Sequence, residues 1–510
     1  MKRKSIYLPF VILAAAFIVA TGCKKQLDEP AENKIYTGGT DYTKTSDMIK
    51  PLIGIYVKLS ATEWENYPLI SVRGDDVNAG GLGDQQDFAE TDNFRYNKDY
   101  WMYNSVWQNH YIKITNANSA IQQLELYKQY AGNKALADQY IAEVKVLRAY
   151  WLFTLSRIWG PILIPIDPDP TTLYVAPLST KDQVMQHVSD QIDEALPYLL
   201  DMRPNQRTDI PGGVTKYTAL AIKAMANLEL KNYQKVADAT GEIIKSAKFT
   251  LEPDFYNLFK LKGKLNSENL LEMQYSDLGQ GSGDNYGYLY AFFGPQGWTP
   301  KVAGSGDGWG FFEPSLKYIK FMLGRGEVTR LQTSVLFTNR GITEIKKDPA
   351  FATLPAWVSN TTPSGDIIND YARAMFASGK HYLPSDQLTP GRTDYGTNQN
   401  MICIRYAEVL LMYAEALTQN ATGTAGSADD AVNAVRTRAG LGTLTGVTNA
   451  QVMDEKFAEL AMEWGIRFYD MVRLGRTADL SYDGRTFSMD KEFLPYPQAQ
   501  VDLLPILKQK

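Results

Sequence analysis

The chain reads as a mainly α-helical, all-α protein: tetratricopeptide-like helical hairpins carrying long irregular loops suited to binding a ligand. Three observations predict this. Apolar residues recur every three or four positions through most of the chain, with capping residues before them and Gly or Pro after them. One pair of these segments is lined with alanine and joined by a very short turn. Two long stretches, rich in Gly and aromatic residues, show neither the helical nor the strand period.

The helical pattern begins at Ser46 and Asp47, which can cap a helix through Ile49, Leu52, Ile53, Tyr56 and Leu59. A polar, Gly-rich loop follows from Val72 to Asn93. Tyr100, Trp107, Tyr111, Ile114, Ala117, Asn118 and Ile121 mark a second amphipathic helix. A third runs from Ala135 to Trp159 and is stopped by Gly160-Pro161. The Pro-rich stretch from Ile162 to Pro177 is extended, and Thr180 can cap a helix through Val184, Val188, Ile192, Ala195 and Leu199. The alanine-lined pair spans 216–231 and 234–246, with Ala219, Ala221, Ala224 and Ala226 allowing close helix contact. It has the shape of a tetratricopeptide unit without a strict 34-residue period. Gly279 to Gly310 and Asp348 to Asn400 are the irregular stretches, of a length that in compact proteins usually carries function. Helices return at Ile404–Leu417, Ala428–Arg438 and Asp454–Leu474, where Glu463 and Arg467 stand four apart and can pair.

Residues 1–22 read as a leader. Lys2, Arg3 and Lys4 precede an apolar run from Ile6 to Ala20, which is too short and too interrupted by Pro9 to be a comfortable membrane span. Ala20-Thr21-Gly22 then meets Cys23, a pattern that resembles the lipobox of bacterial lipoproteins, in which the cysteine becomes an acylated N-terminus. Residues 23–45 form the lipidated N-terminus and a polar spacer, 46–278 an N-terminal helical part, and 279–510 a C-terminal part with aromatic loops, the two parts forming one unit. Removal of the leader takes the net charge from −5 to −8. That acidity argues against nucleic acid as a partner. Cys403 is the only other cysteine, so no intrachain disulfide is available, and its apolar neighbours make it a buried small hydrophobe.

Enzyme signatures are largely absent. His110, His187 and His381 lie outside any His-Glu-x-x-His or Cys/His zinc pattern, no Gly-x-Ser-x-Gly elbow occurs, and the glycines at 304, 306, 308 and 310 lead to no Gly-Lys-Ser/Thr. No metal and no cofactor is expected. Asp75-Asp76 could serve a glycosidase as acid and base, and with Asn78 and Asp84 could hold calcium, although the spacing is not that of a calcium hand. The 31 Tyr and 9 Trp point elsewhere. Their excess outside helical patterns suits a surface that stacks on sugars or peptides.

The helical blocks carry a resemblance. Ile404-Arg405-Tyr406-Ala407-Glu408-Val409-Leu410-Leu411-Met412-Tyr413-Ala414-Glu415-Ala416, Ala431 to Leu441 with its Arg436-Thr437-Arg438-Ala439-Gly440-Leu441 end, Glu463-Trp464-Gly465-Ile466-Arg467-Phe468-Tyr469-Asp470 and Phe493-Leu494-Pro495-Tyr496-Pro497 closely resemble the RagB/SusD family, as does the Ala142–Gly160 block. The resemblance implies a SusD-like fold, lipid anchoring at Cys23 to the outer membrane with exposure at the surface, and non-catalytic capture of a glycan for delivery to a SusC-like TonB-dependent transporter. Some members of the family take peptides instead. Arg405, Glu408, Glu415, Arg148, Glu463 and Arg467 are expected in ion pairs between helices. Sugar rings stack on aromatic faces and their hydroxyls pair with polar groups. The candidate stacking residues are therefore Trp298, Trp309, Tyr286, Tyr288 and Trp101, and the candidate polar residues Arg73, Asp75, Asp76 and Asn78.

Overall fold

The computed structural model describes residues 39–61, 63–80, 84–276, 287–389 and 396–509; Cys23 and Tyr286 lie outside them. The architecture is a stack of helices with short two-stranded sheets between them and the loops. Helix α1 (Ile49–Ser60) lies across α2 (Trp101–Tyr130) and α3 (Lys134–Trp159). α3 packs on α4 (Lys181–Ala195), α4 on α5 (Lys216–Glu229) and α5 on α6 (Tyr233–Lys245). α7 (Tyr406–Thr418), from the far end of the chain, then seats on α6 and carries α8 (Ala428–Arg438) and α9 (Asn449–Leu460). The hairpin stack begun in the N-terminal half is thus completed by the C-terminal half around one continuous core.

Local chemistry explains these helices. Thr180 Oγ1 accepts from the Gln183 N–H at 3.2 Å, and the Gln183 side chain accepts from the Thr180 N–H at 2.8 Å, a reciprocal cap at the start of α4. Thr180→Ala is expected to lower stability by about 1 kcal/mol, measured by urea denaturation. Gly160 ends α3 at φ 75°, and a Cβ there would lie 2.9 Å from the Phe493 ring. Ala219, Ala221, Ala224 and Ala226 of α5 are all fully buried, and this is what lets four neighbouring helices approach closely.

Two expected helices differ. Met401–Arg405 is a strand, antiparallel to Asn269–Met273, so α7 starts at Tyr406 rather than at Ile404. The Asp454–Leu474 helix is two helices, α9 and α10 (Ile466–Arg473). Between them Met462, Trp464 and Gly465 all have positive φ. The break is held from outside: the Met462 N–H donates to Asp76 Oδ2 at 2.6 Å, the Tyr67 hydroxyl to the Met462 carbonyl, and Lys380 Nζ to the Glu459 and Ala461 carbonyls, each at 2.8 Å. Backbone groups freed by a helix end need such partners, and these come from segments remote in sequence.

The break also redirects the charges. Glu463 and Arg467 do not pair with each other. Glu463 takes Arg405 at 2.8 Å and Lys380 at 2.6 Å, whereas Arg467 takes Asp75 at 2.7 Å. Glu415 pairs with Lys456 and Arg473. Arg148 makes no ion pair among the described residues; it donates to Asn118 and Gln191, and burial pulls it down to about 10. Cys403 is buried.

Glu408 also departs from expectation. It is buried beside a small cavity with Tyr150, Arg157 and Trp464, without an ion pair among the described residues, and burial pushes it up to about 7. Its folded value lies above the unfolded value of about 4.3, so it takes stability away as pH rises from about 4 to about 7. Glu408→Gln should be close to neutral at pH 4 and stabilising by at least about 1 kcal/mol at pH 8. Urea titrations at the two pH values check this; an equal change at both would rule out the carboxyl as the cause.

Candidate ligand-binding site

Folding brings two aromatic residues distant in sequence onto one bed. Trp101 opens α2 and is 53% exposed. Its ring meets Phe88 edge-on at 6.4 Å, and Phe88, buried in the short helix Gln86–Asp92, meets Phe292 at 6.1 Å. Phe292, from the helix Leu289–Phe293, meets the half-buried Trp309 at 5.5 Å. The Trp309 N–H donates to the Ala291 carbonyl at 2.6 Å, and the Phe311 N–H to that of Phe292 at 2.9 Å. The aromatic loop is thereby stitched to its own helix. Edge-to-face contacts of this kind fix ring orientation as well as burying area. The result is a continuous aromatic platform with Trp101 at one end, Trp309 at the other and the buried Phe88 and Phe292 linking them.

A polar edge borders the platform. The Arg373 guanidinium lies 4.1 Å over the Phe311 ring and holds Asp84 through both terminal nitrogens, one at 2.8 Å. Asp84 keeps nearly half of its side chain in solvent. Tyr288, half-buried, directly precedes the Leu289–Phe293 helix.

Trp298 is placed apart. Its strand, Trp298–Thr299, pairs with Ile367–Ile368, and its ring meets Tyr382 at 5.9 Å in a small separate cluster with Tyr290, Leu336 and Ile368. The Leu289–Phe293 helix divides the two groups, sending Phe292 to the platform and Tyr290 to the cluster around Trp298.

The predicted polar residues are mostly interior. Arg73 is buried, its guanidinium 4.3 Å over the Phe468 ring and donating to the Tyr469 hydroxyl at 2.8 Å. Asp75 is fully buried between Arg467 at 2.7 Å and Lys317 at 2.8 Å. Asp76 supports the α9–α10 break through Met462, and burial pushes it up to about 6. All three are buried, and each satisfies a charge or backbone group that the fold has removed from water. The same engagement removes Asp75 and Asp76 as an acid–base pair or a calcium shell. Asn78 is partly buried and accepts from Tyr482 at 2.7 Å and Arg485 at 3.2 Å. Among the described residues no cluster of His, Cys, Asp or Glu could hold a metal ion.

Comparison with known proteins agrees with this architecture. A family model described as the SusD family matches residues 267–510, and a second, described as "Starch-binding associating with outer membrane", matches residues 55–224. The chain belongs to the SusD/RagB family. A SusD-like protein P2 of Formosa agariphila is 25% identical over 494 residues, covering 92% of this chain and 91% of that one. A SusD-like protein of Bacteroides ovatus is 24% identical over 381 residues, covering 72% of this chain but only 64%, less than two thirds, of its own. Among solved structures, surface glycan-binding protein A from Bacteroides thetaiotaomicron in complex with laminarihexaose is 22% identical, with a TM-score of 0.73 over 90% of this chain and 97% of that one. Surface glycan-binding protein A from Bacteroides uniformis has a TM-score of 0.74 at 21% identity, over 91% and 98%. At these identities the structural likeness establishes the SusD-like fold.

Within this SusD-family chain, Phe88, Phe292 and Arg373 belong to the candidate site although the sequence did not single them out, and Asp84 was weighed there only as a calcium ligand. Phe88 lies in a stretch read as loop, and its helix spans only Gln86–Asp92, too short for a clear period. Arg373 lies in the second irregular stretch, where nothing local marks it. No helix among the described residues is long and apolar enough to cross a membrane.

Proposed function

We propose that this SusD-family protein captures an oligosaccharide on the Trp101–Trp309 platform, without covalent chemistry, and passes it to a SusC-like TonB-dependent transporter at the outer membrane. The observation that carries the reading is the platform itself. A half-exposed Trp and a half-buried Trp are held on a rigid phenylalanine bed, with an Asp–Arg pair at the edge for hydroxyls. Flat apolar faces with adjacent polar groups are what pyranose rings require. The family match and the glycan-binding names of structurally similar proteins support the same class of ligand.

Acylation at Cys23 would tether the body through the spacer. The spacer joins the body near Tyr42, which packs on Tyr127 at 5.0 Å. That is near the opposite end of α2 from Trp101, about 40 Å away at the rise of an α-helix, so the platform stands well clear of the point where the spacer joins the body. Affinity electrophoresis and calorimetry against a polysaccharide panel test the ligand class. Retardation by at least one glycan is expected; binding of peptides with no glycan bound would replace this reading with peptide capture. Loss of surface display in Cys23→Ala cells, followed by protease shaving, tests the anchor.

A further inference from the structure

We propose that a cleft beside Trp357 is a second sugar-binding site, distinct from the platform, that takes a single neutral pyranose residue. The strand Val335–Phe337 forms one wall and the segment from Trp357 to Pro363 the other, with Ile368 between them. The cleft encloses about 180 Å³ and opens to solvent. A void of roughly 150 Å³ holds one benzene ring, so this one has room for one sugar ring whose outer hydroxyls stay in water.

Its lining has the composition a sugar needs. Trp357 is half-buried, packed on the main core from behind and facing the cleft. Gln332, also half-buried, presents a side-chain amide that makes no hydrogen bond among the described residues. An amide offers both donor and acceptor, which matches a hydroxyl pair on adjacent sugar carbons. Asn360 and Thr361 complete the polar rim. No charged side chain among the described residues lines the cleft. An anionic sugar would therefore lose hydration without gaining a cation, which selects neutral rings.

The cleft is also preformed. The Ile368 N–H donates to the Asn360 carbonyl at 2.7 Å, the Asn360 side chain donates back to the Ile368 carbonyl at 3.2 Å, and Thr361 bridges to Ile367. A loop pinned in this way need not be ordered on binding. Leu336 and Ile368 line the cleft and also pack with Tyr290 and Trp298, so the buried cluster around Trp298 forms the wall between the cleft and the platform. Two sites on one rigid body would let a long glycan bind more tightly than either site holds one ring.

The test is fluorine NMR of protein labelled with 5-fluorotryptophan, with the Trp357 resonance assigned by Trp357→Phe. The probes are D-glucose, D-galactose, D-mannose and D-xylose, with D-glucuronate as the anionic comparison. At least one neutral sugar is expected to shift the Trp357 resonance saturably in the millimolar range. Gln332→Leu should weaken that shift by about tenfold, the loss of one good hydrogen bond. Trp101→Ala with Trp309→Ala should leave it unchanged. The proposal is overturned if no neutral sugar moves the resonance, if glucuronate binds equally well, if Gln332→Leu has no effect, or if the platform variants abolish the shift. Failure of the platform reading would show separately, as polysaccharide retardation undiminished by the loss of Trp101 and Trp309.

Discussion

Replacing Trp101 and Trp309 together with alanine is expected to abolish glycan capture at the platform, leaving only the millimolar binding proposed for the Trp357 cleft, with the fold intact. Trp101 is more than half exposed, so its removal costs the core little. Trp309 covers Phe292 and Phe311 at 5.5 and 5.7 Å but is itself only half-buried, so its loss trims the bed without opening the interior. Aromatic anchors at the centre of a binding surface are each worth about 2 kcal/mol, or roughly thirtyfold in affinity. Removing both exceeds what a weak carbohydrate site can lose and still be detected. Calorimetry with any glycan that binds the native protein measures the effect, and circular dichroism confirms folding. Trp309→Phe should keep most of the affinity, because a flat ring remains. Trp298→Ala should disturb binding much less, since Trp298 belongs to the cluster with Tyr382 on the other side of the Leu289–Phe293 helix. Unchanged affinity in the double variant would remove the platform as the site.

Glu459→Ala should be the most destabilising single change among the charged residues. Glu459 is fully buried and faces Arg405 at 2.5 Å, Arg330 at 3.2 Å and Arg438. Glu268, Glu327, Glu455 and Glu463 share those arginines, so the network links the strand Met401–Arg405, the helix Thr329–Ser334, α8 and α9 with Glu268, which directly precedes the strand Asn269–Met273. Deleting one member leaves buried guanidinium charge uncompensated, a loss of about 3–5 kcal/mol. Urea denaturation measures it, and a change below about 1 kcal/mol would contradict the role given to this carboxylate. The same geometry sets an acid limit. The surrounding arginines hold Glu459 well below the usual carboxylate range. Its contribution is therefore complete above the unfolded value of about 4.3 and is lost as pH falls through the lower folded value. Stability of the native protein should drop steeply below about pH 4, and Glu459→Gln should flatten that drop.

Much of the body was legible because its signals are local. α3 stops where Gly160-Pro161 stands, α4 starts at the Thr180 box, and the alanines of α5 meet their neighbours as their spacing implies. The chain's two halves diverge at residues whose environment is supplied from far away. Ile404 and Arg405 carry helical periodicity with the residues that follow, yet pairing with Asn269–Met273 makes them a strand. Glu463 and Arg467 have ideal spacing for a helical pair, yet Tyr67, Asp76 and Lys380 hold a break between them. Asp75 and Asp76 look like loop acids, and only the arrival of Arg467 and Met462 shows that they are interior.

Periodicity, caps and the ordered helical blocks are properties of neighbouring residues, and they were enough to read a mainly helical SusD/RagB protein from the chain. The binding surface is of another kind. Whether an aromatic ring faces water or the core depends on what covers it, and Trp101 and Trp309 become one platform only after Phe88 and Phe292 meet beneath them. A charge likewise becomes structural or available according to its partner across the fold. Those partners are long-range contacts between segments with no shared local pattern, so the identity of the site emerges with packing and not before it.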